Sequence, residues 1–207
     1  NGRKIRKYRM GRRILQLITC MLAACCFLFG MGAYEILNFP QDTRSLSLHN
    51  TASAYDRSLL RNNPAALSLA AEVAIYSFLI LPAGIHSGEI QLVRNIGPGI
   101  HASKLSYISY GDIVDGETGK KTTAFDILLE MGYKKDLKNI VSIGISGGYL
   151  MSSIAGYHSQ LLYTNIGLRS RMMRKRMGVG FSLENLGVLL NSYTNLNESI
   201  PAIFRSS

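Results

Sequence analysis

The chain has 207 residues, 47% of them hydrophobic and 17% charged, with 20 Gly, no Trp and a formal charge of +10. That apolar content excludes a disordered chain, and a single stretch long enough to cross a bilayer as a helix excludes a polytopic helical membrane protein. Seven cations (Arg3, Lys4, Arg6, Lys7, Arg9, Arg12 and Arg13) precede the first acid, Glu35, so +10 less these seven leaves +3 for the rest. The basic balance is therefore a property of the leader. The later cluster Arg169, Arg171, Arg174, Lys175, Arg176 reads as a solvated turn, with docking to acidic headgroups or an acidic partner as the functional alternative, and nucleic acid is not an expected partner.

Residues 1–33 read as upstream sequence and a signal peptide. Met10-Gly11-Arg12-Arg13 precedes the apolar run Ile14 to Ala33, and small residues at Gly30, Gly32 and Ala33 offer cleavage points. An uncleaved single-span anchor is one alternative; lipidation at Cys25 within Leu22-Ala23-Ala24-Cys25 is another, against which Cys26-Phe27-Leu28-Phe29 continues the apolar core. All three cysteines, Cys20, Cys25 and Cys26, lie in this leader, so a thiol nucleophile or cysteine metal cluster is not expected after it. Residues 1–9 precede the natural-looking start, and the chain reads as a piece of a longer protein.

Residues 34–71 lack strand alternation. They contain Asn63-Pro64-Ala65-Ala66-Leu67, where Asn suits a helix cap and Pro its first position, so a short helix is predicted there. From Glu72 the period becomes two. In Ala124 to Tyr133, Phe125, Ile127, Leu129, Met131 and Tyr133 alternate with Ala124, Asp126, Leu128, Glu130 and Gly132. Val141 to Met151, Leu162 to Leu168 and Met177 to Asn185 alternate likewise, and weaker strands are predicted over Val73 to Leu79 and Ile85 to Val93. Ile100 to Tyr110 is ambiguous in parity. With Ile200 to Arg205 opening another, about seven strands precede it.

The polar parity of these strands is Ser, Gly, Asp, Glu and Asn with almost no Lys. A water-facing sandwich surface favours Lys, Glu and Thr, whereas a barrel lumen tolerates small residues and isolated acids, so the pattern predicts a transmembrane antiparallel β-barrel with its apolar parity in lipid. Glycine at inward positions would relieve crowding as the wall curves. Links are expected short at 94–98, long at 111–122, short at 134–139, longer at 152–159, moderate at 169–176 and long at 187–199, which mostly alternates as outer-membrane barrels do. Tyr133, Tyr149, Tyr157 and Tyr163 are candidates for an interfacial girdle, with ordinary strand enrichment as the equal alternative.

Candidate chemistry is sparse. His49, His86, His101 and His158 lack metal spacing; Ser142, Ser146 and Ser182 lack a nucleophile elbow; and Gly144 to Gly148 lacks the strand-to-helix setting of a phosphate loop. No catalytic, metal or cofactor site is expected, and the chain does not read as an enzyme. Asp126 and Glu130 share the inward parity, as do Asn165 and Glu184, and these four form a candidate lumenal polar network.

Several stretches together resemble the PorV/PorQ family of outer-membrane proteins, related to FadL-type channels. They are Tyr34 to Pro40 leading to Thr43 to Leu48, the Asn63-Pro64-Ala65 start, Tyr107-Ile108-Ser109-Tyr110-Gly111-Asp112-Ile113, and Gly180-Phe181-Ser182-Leu183-Glu184-Asn185-Leu186-Gly187. The order and spacing of the stretches carry the resemblance, from about Tyr34 to the end. It implies a barrel of about fourteen strands, of which 72–207 is a part, an N-terminal plug over 34–71 including Asn63, Pro64 and Ala65, and a role in type IX secretion. Outer-membrane lipid, secreted cargo proteins and other secretion components are the implied partners. A FadL-like channel for hydrophobic small molecules is the alternative. Leu48 is followed here by His49-Asn50 where the family often has Gly-Gly, so PorV-like and PorQ-like subgroups both stay open.

Overall fold

The computed structural model describes residues 34–37, 39, 60, 63–68, 73–114, 116, 119–137, 140–172, 177–193, 200 and 202–206. The leader with Cys25, most of the plug segment including His49, and Arg174, Lys175 and Arg176 lie outside the described residues.

Eight strands follow one another: β1 (Val73–Ile80), β2 (His86–Ile96), β3 (Gly99–Val114), β4 (Lys121–Leu137), β5 (Val141–Ile154), β6 (Tyr157–Met172), β7 (Met177–Asn191) and β8 (Ile203–Ser206). Each pairs antiparallel with the next in a single sheet of order β1 to β8, so every strand of the described residues is a sequence neighbour's partner. The all-β, antiparallel expectation holds. The sheet is not closed: β1 and β8 are its edges, and it has eight strands against the about fourteen that the resemblance implied.

The strands outrun their alternating cores. β3, β4 and β6 are 16, 17 and 16 residues long, because ladder pairing continues through polar ends where hydropathy no longer alternates. The link expected at 152–159 is instead a tight hairpin. Ala155 (φ 54) and Gly156 (φ 86) form a two-residue turn with both central residues left-handed, which matches strand twist and lets the polar Ser152, Ser153 and His158 stay in the ladder. At the other end of the sheet, β2–β3, β4–β5 and β6–β7 are all joined by short links.

Polarity across the sheet is inverted relative to a protein that buries oil and wets charge. One face carries Tyr76, Phe78, Ile90, Leu105, Leu129, Met131, Ile145, Ile166, Leu168 and Phe181, all exposed. The opposite face carries Ser87, Glu89, Gln91, Lys104, Ser106, Asp126, Glu130, Lys134, Ser146, Asn165, Arg169 and Glu184, all buried. Among the described residues, Tyr34, Ile36, Leu60 and the turn at 63–67 lie over that polar face. Tyr34 and Ile36 pack with Ile108, Leu128, Leu150, Leu161 and Tyr163; Leu60 and Leu67 pack with Val93 and Ala102. The covered face is thus polar with two apolar seats, and the ambiguous strand is resolved: Ala102, Lys104, Ser106 and Ile108 point to the covered side while Leu105 and Tyr107 point away.

Two expectations about this face are corrected. Cationic side chains are present on it, since Lys104, Lys134 and Arg169 are buried there. Tyr163 is also on it, 6% exposed with its ring over Gly148, because its parity matches Asn165; it is no part of an outer girdle. Tyr157 is exposed at the start of β6, and Tyr149 sits inside β5 rather than at its end.

Candidate functional site

The covered face is built from three docking points and two polar clusters. Asn63 opens the Pro64–Ala66 3-10 turn, its side-chain oxygen accepting from Ala65 N at 3.0 Å, while its Nδ2 donates to Leu168 O of β6 at 3.2 Å. The predicted short helix is therefore this single capped turn. It lies on glycines: a Cβ at Gly144 would strike Pro64 and Ala65, and one at Gly167 would strike Asn63 Oδ1. At Gly132 a Cβ would meet Leu60. These inward glycines, expected to relieve wall curvature, make room for a second layer of chain.

Polar side chains of the sheet hold the same segment by its backbone. Leu60 N donates to Gln91 Oε1 at 2.7 Å, and Lys104 Nζ reaches Leu60 O at 3.4 Å. Tyr34 OH and Ser159 Oγ are 2.6 Å apart, which fastens the start of the segment.

The central cluster is ionic, with each carboxylate paired to a cation. Lys104 Nζ lies 2.5 Å from Glu130 Oε2, both side chains nearly inaccessible. Ser146 Oγ donates to Glu130 Oε1 at 2.8 Å, and Asn165 Nδ2 donates to the same oxygen at 3.3 Å. Asn165 Oδ1 in turn accepts from Asn185 N at 2.8 Å. Beside it, Glu184 accepts from Ser182 Oγ at 2.6 Å and from Arg205 Nε of β8 at 2.9 Å. Such pairing is the condition for burying charge: an isolated carboxylate on this face would carry a desolvation penalty of several kcal/mol.

Of the four residues proposed as a network, Glu130 and Asn165 are directly bonded. Glu184 joins them through its chain neighbour Asn185. Asp126 belongs to a separate cluster nearer the β5–β6 hairpin, where Tyr110 OH donates to it at 2.7 Å and Ser152 also hydrogen-bonds it, with Tyr193 on Ser152. Tyr193 stacks on Tyr34 with centroids 6.4 Å apart, so this second cluster also touches the N-terminal segment.

Three participants escaped the sequence reading. Lys104 lay in the strand of ambiguous parity, and Arg205 in a strand only begun. Asn185 reaches the covered face because of a bulge: Thr164 pairs with Leu186 and Ile166 with Leu183, so Asn165 alone faces both Glu184 and Asn185. Asn185 has φ 59, a left-handed conformation that Asn tolerates better than most residues; an Asn inside an alternating run was the available signal.

Three serines singled out as nucleophile candidates donate to carboxylates: Ser142 to Asp136, Ser146 to Glu130, Ser182 to Glu184. His86 and His158 are exposed, His86 stacking on Phe78, and His101 is half-buried. Among the described residues no three of His, Cys, Asp or Glu converge as metal ligands, and no helix is long and apolar enough to cross a membrane. Comparisons with family models, with curated proteins and with solved structures give no match.

Proposed function

We propose that this chain is part of the wall of an outer-membrane β-barrel of the PorV/PorQ type, acting without catalysis to assist export or surface attachment of secreted proteins. The observation that carries the membrane part of this reading is the inverted polarity of the sheet. Leaving an exposed Leu, Ile or Phe in water forgoes about 1.5–3 kcal/mol each relative to burial, and here a whole face forgoes it while Lys104, Glu130 and Glu184 are buried behind it. Lipid against the apolar face removes the contradiction. Unpaired strand edges are not tolerated in hydrocarbon, so the reading requires β1 and β8 to pair with strands outside this sheet, as in a barrel of about fourteen. The secretion role rests on the resemblance of Tyr34 to Leu48, Asn63 to Leu67, Tyr107 to Ile113 and Gly180 to Gly187 to that family.

A second reading, a FadL-like channel for hydrophobic small molecules, is favoured by one observation: the N-terminal segment lies on the polar face by its own seats, at Gly132, Gly144 and Gly167, as a plug would. Two experiments decide. Fractionation of the producing cell, with detergent extraction, is expected to place the protein in the outer membrane; recovery in the aqueous fraction overturns both readings. Affinity capture from solubilised membranes is expected to bring down exported proteins or secretion components; substrate-dependent uptake lost on deletion, with no such partners, selects the channel instead.

A further inference from the structure

Between Ile36 and Leu37 and the centre of the sheet lies a narrow, partly enclosed pocket of about 20 Å³, whose lining includes Lys104, Glu130, Asn165, Glu184 and Asn185. Asn185 is 4% exposed, and its Nδ2 is a buried donor with no hydrogen-bond partner. A buried amide left unsatisfied costs about 1–3 kcal/mol, a penalty that native structures relieve with an acceptor. The backbone offers no escape, since the bulge and the bond from Asn185 N to Asn165 Oδ1 fix where the side chain starts.

We propose that this pocket is a binding site for one water molecule, anchored by Asn185 Nδ2 and bridging it to the carboxylates of Glu130 and Glu184. Size, charge and hydrogen bonding each suit water. A pocket needs roughly 10–15 Å³ to admit a single water, so at about 20 Å³ this one has room for a water. The charges around it are matched, Lys104 with Glu130 and Arg205 with Glu184, which leaves neither an excess of acid to attract a cation nor an excess of base to attract an anion. Asn185 supplies a donor and therefore needs an acceptor, while each carboxylate oxygen has two lone pairs; Glu130 Oε2 has Lys104 on it and the Glu184 oxygens have Ser182 and Arg205. Water both accepts from the amide and donates to a carboxylate. Ile36 and Leu37 are its apolar roof, so the site exists only while the segment stays docked. The site rests on neither membrane reading.

The test is a crystal structure of the full chain at a resolution that shows ordered water, together with that of Asn185→Gly, since glycine suits the left-handed backbone there. The expected result is one peak within hydrogen-bond distance of Asn185 Nδ2 and of a Glu130 or Glu184 oxygen, lost in the variant while the bulge remains. A pocket with no density, a side chain occupying it, a peak with metal-like coordination, or a peak unchanged in Asn185→Gly overturns the proposal.

Discussion

Removing Lys104 isolates a carboxylate. Glu130 keeps Ser146 and Asn165 as donors but loses the cation paired with it, in a place almost without solvent. Breaking a buried pair by deleting one partner costs about 3–5 kcal/mol, whereas replacing both by apolar groups of similar size is often near neutral. Lys104→Met is therefore expected to lower unfolding stability by about 3–5 kcal/mol, and Lys104→Met combined with Glu130→Leu to recover most of it, as read from denaturant unfolding curves. A single variant costing under about 1 kcal/mol would mean that Glu130 is hydrated in solution. The turn residue Ala155 gives the opposite sign. Its left-handed backbone (φ 54) is unfavourable for a residue with a Cβ and suits Asn, so Ala155→Asn beside Gly156 is expected to raise the melting free energy by about 0.5–1 kcal/mol, measured the same way.

The glycines test whether the docked turn and the sheet are one element. Gly144 faces Pro64 and Ala65 at a distance that leaves no room for a methyl group, while Gly147 points to the exposed face, where an added Cβ would find Tyr163 O at an ordinary 3.6 Å. Gly144→Ala is expected to cost about 1–3 kcal/mol and to expose the 60–68 segment to limited proteolysis, and Gly147→Ala to change stability by no more than about 0.5 kcal/mol with the segment still protected. Equal protease sensitivity in both would detach the turn from the sheet. At this scale the sequence was unevenly legible. Strands β4 and β5 were readable because Asp126, Glu130, Ser142 and Ser146 alternate with a mostly apolar parity, Phe125 to Tyr133 and Val141 to Ile145. β3 was not, because Ile100 and Ile108 on its covered side match Leu105 and Tyr107 on the other, so neither parity stands out as the apolar one. Glu130 and Asn165 were found by parity. Asn185 was not, since a bulge puts two consecutive residues on one face and no fixed period survives that.

Taken as a whole, the sheet asks what solvent touches its apolar face, and one substitution answers. Leu129 and Ile145 are 45% and 53% exposed, Leu129 at the middle of β4 and Ile145 nearer the short-link end of β5, with apolar neighbours on both sides. In water, an exposed Leu→Arg change away from special features shifts stability by about 0.5 kcal/mol at most. On the lipid side of a membrane barrel the same change costs about 2–4 kcal/mol at mid-bilayer and falls towards 0–1 near the interfaces. Leu129→Arg is therefore expected to lose about 2–4 kcal/mol in protein folded into phospholipid vesicles, and Ile145→Arg less than Leu129→Arg. Lys135→Arg, on the same side near the end of β4, serves as a neutral control. A depth profile of this kind follows from hydrocarbon and has no counterpart at a water-exposed surface, where position along the strand is irrelevant. If all three variants unfold at the same denaturant concentration as the parent, the apolar face is not in lipid, and the inverted polarity requires a protein layer to cover it.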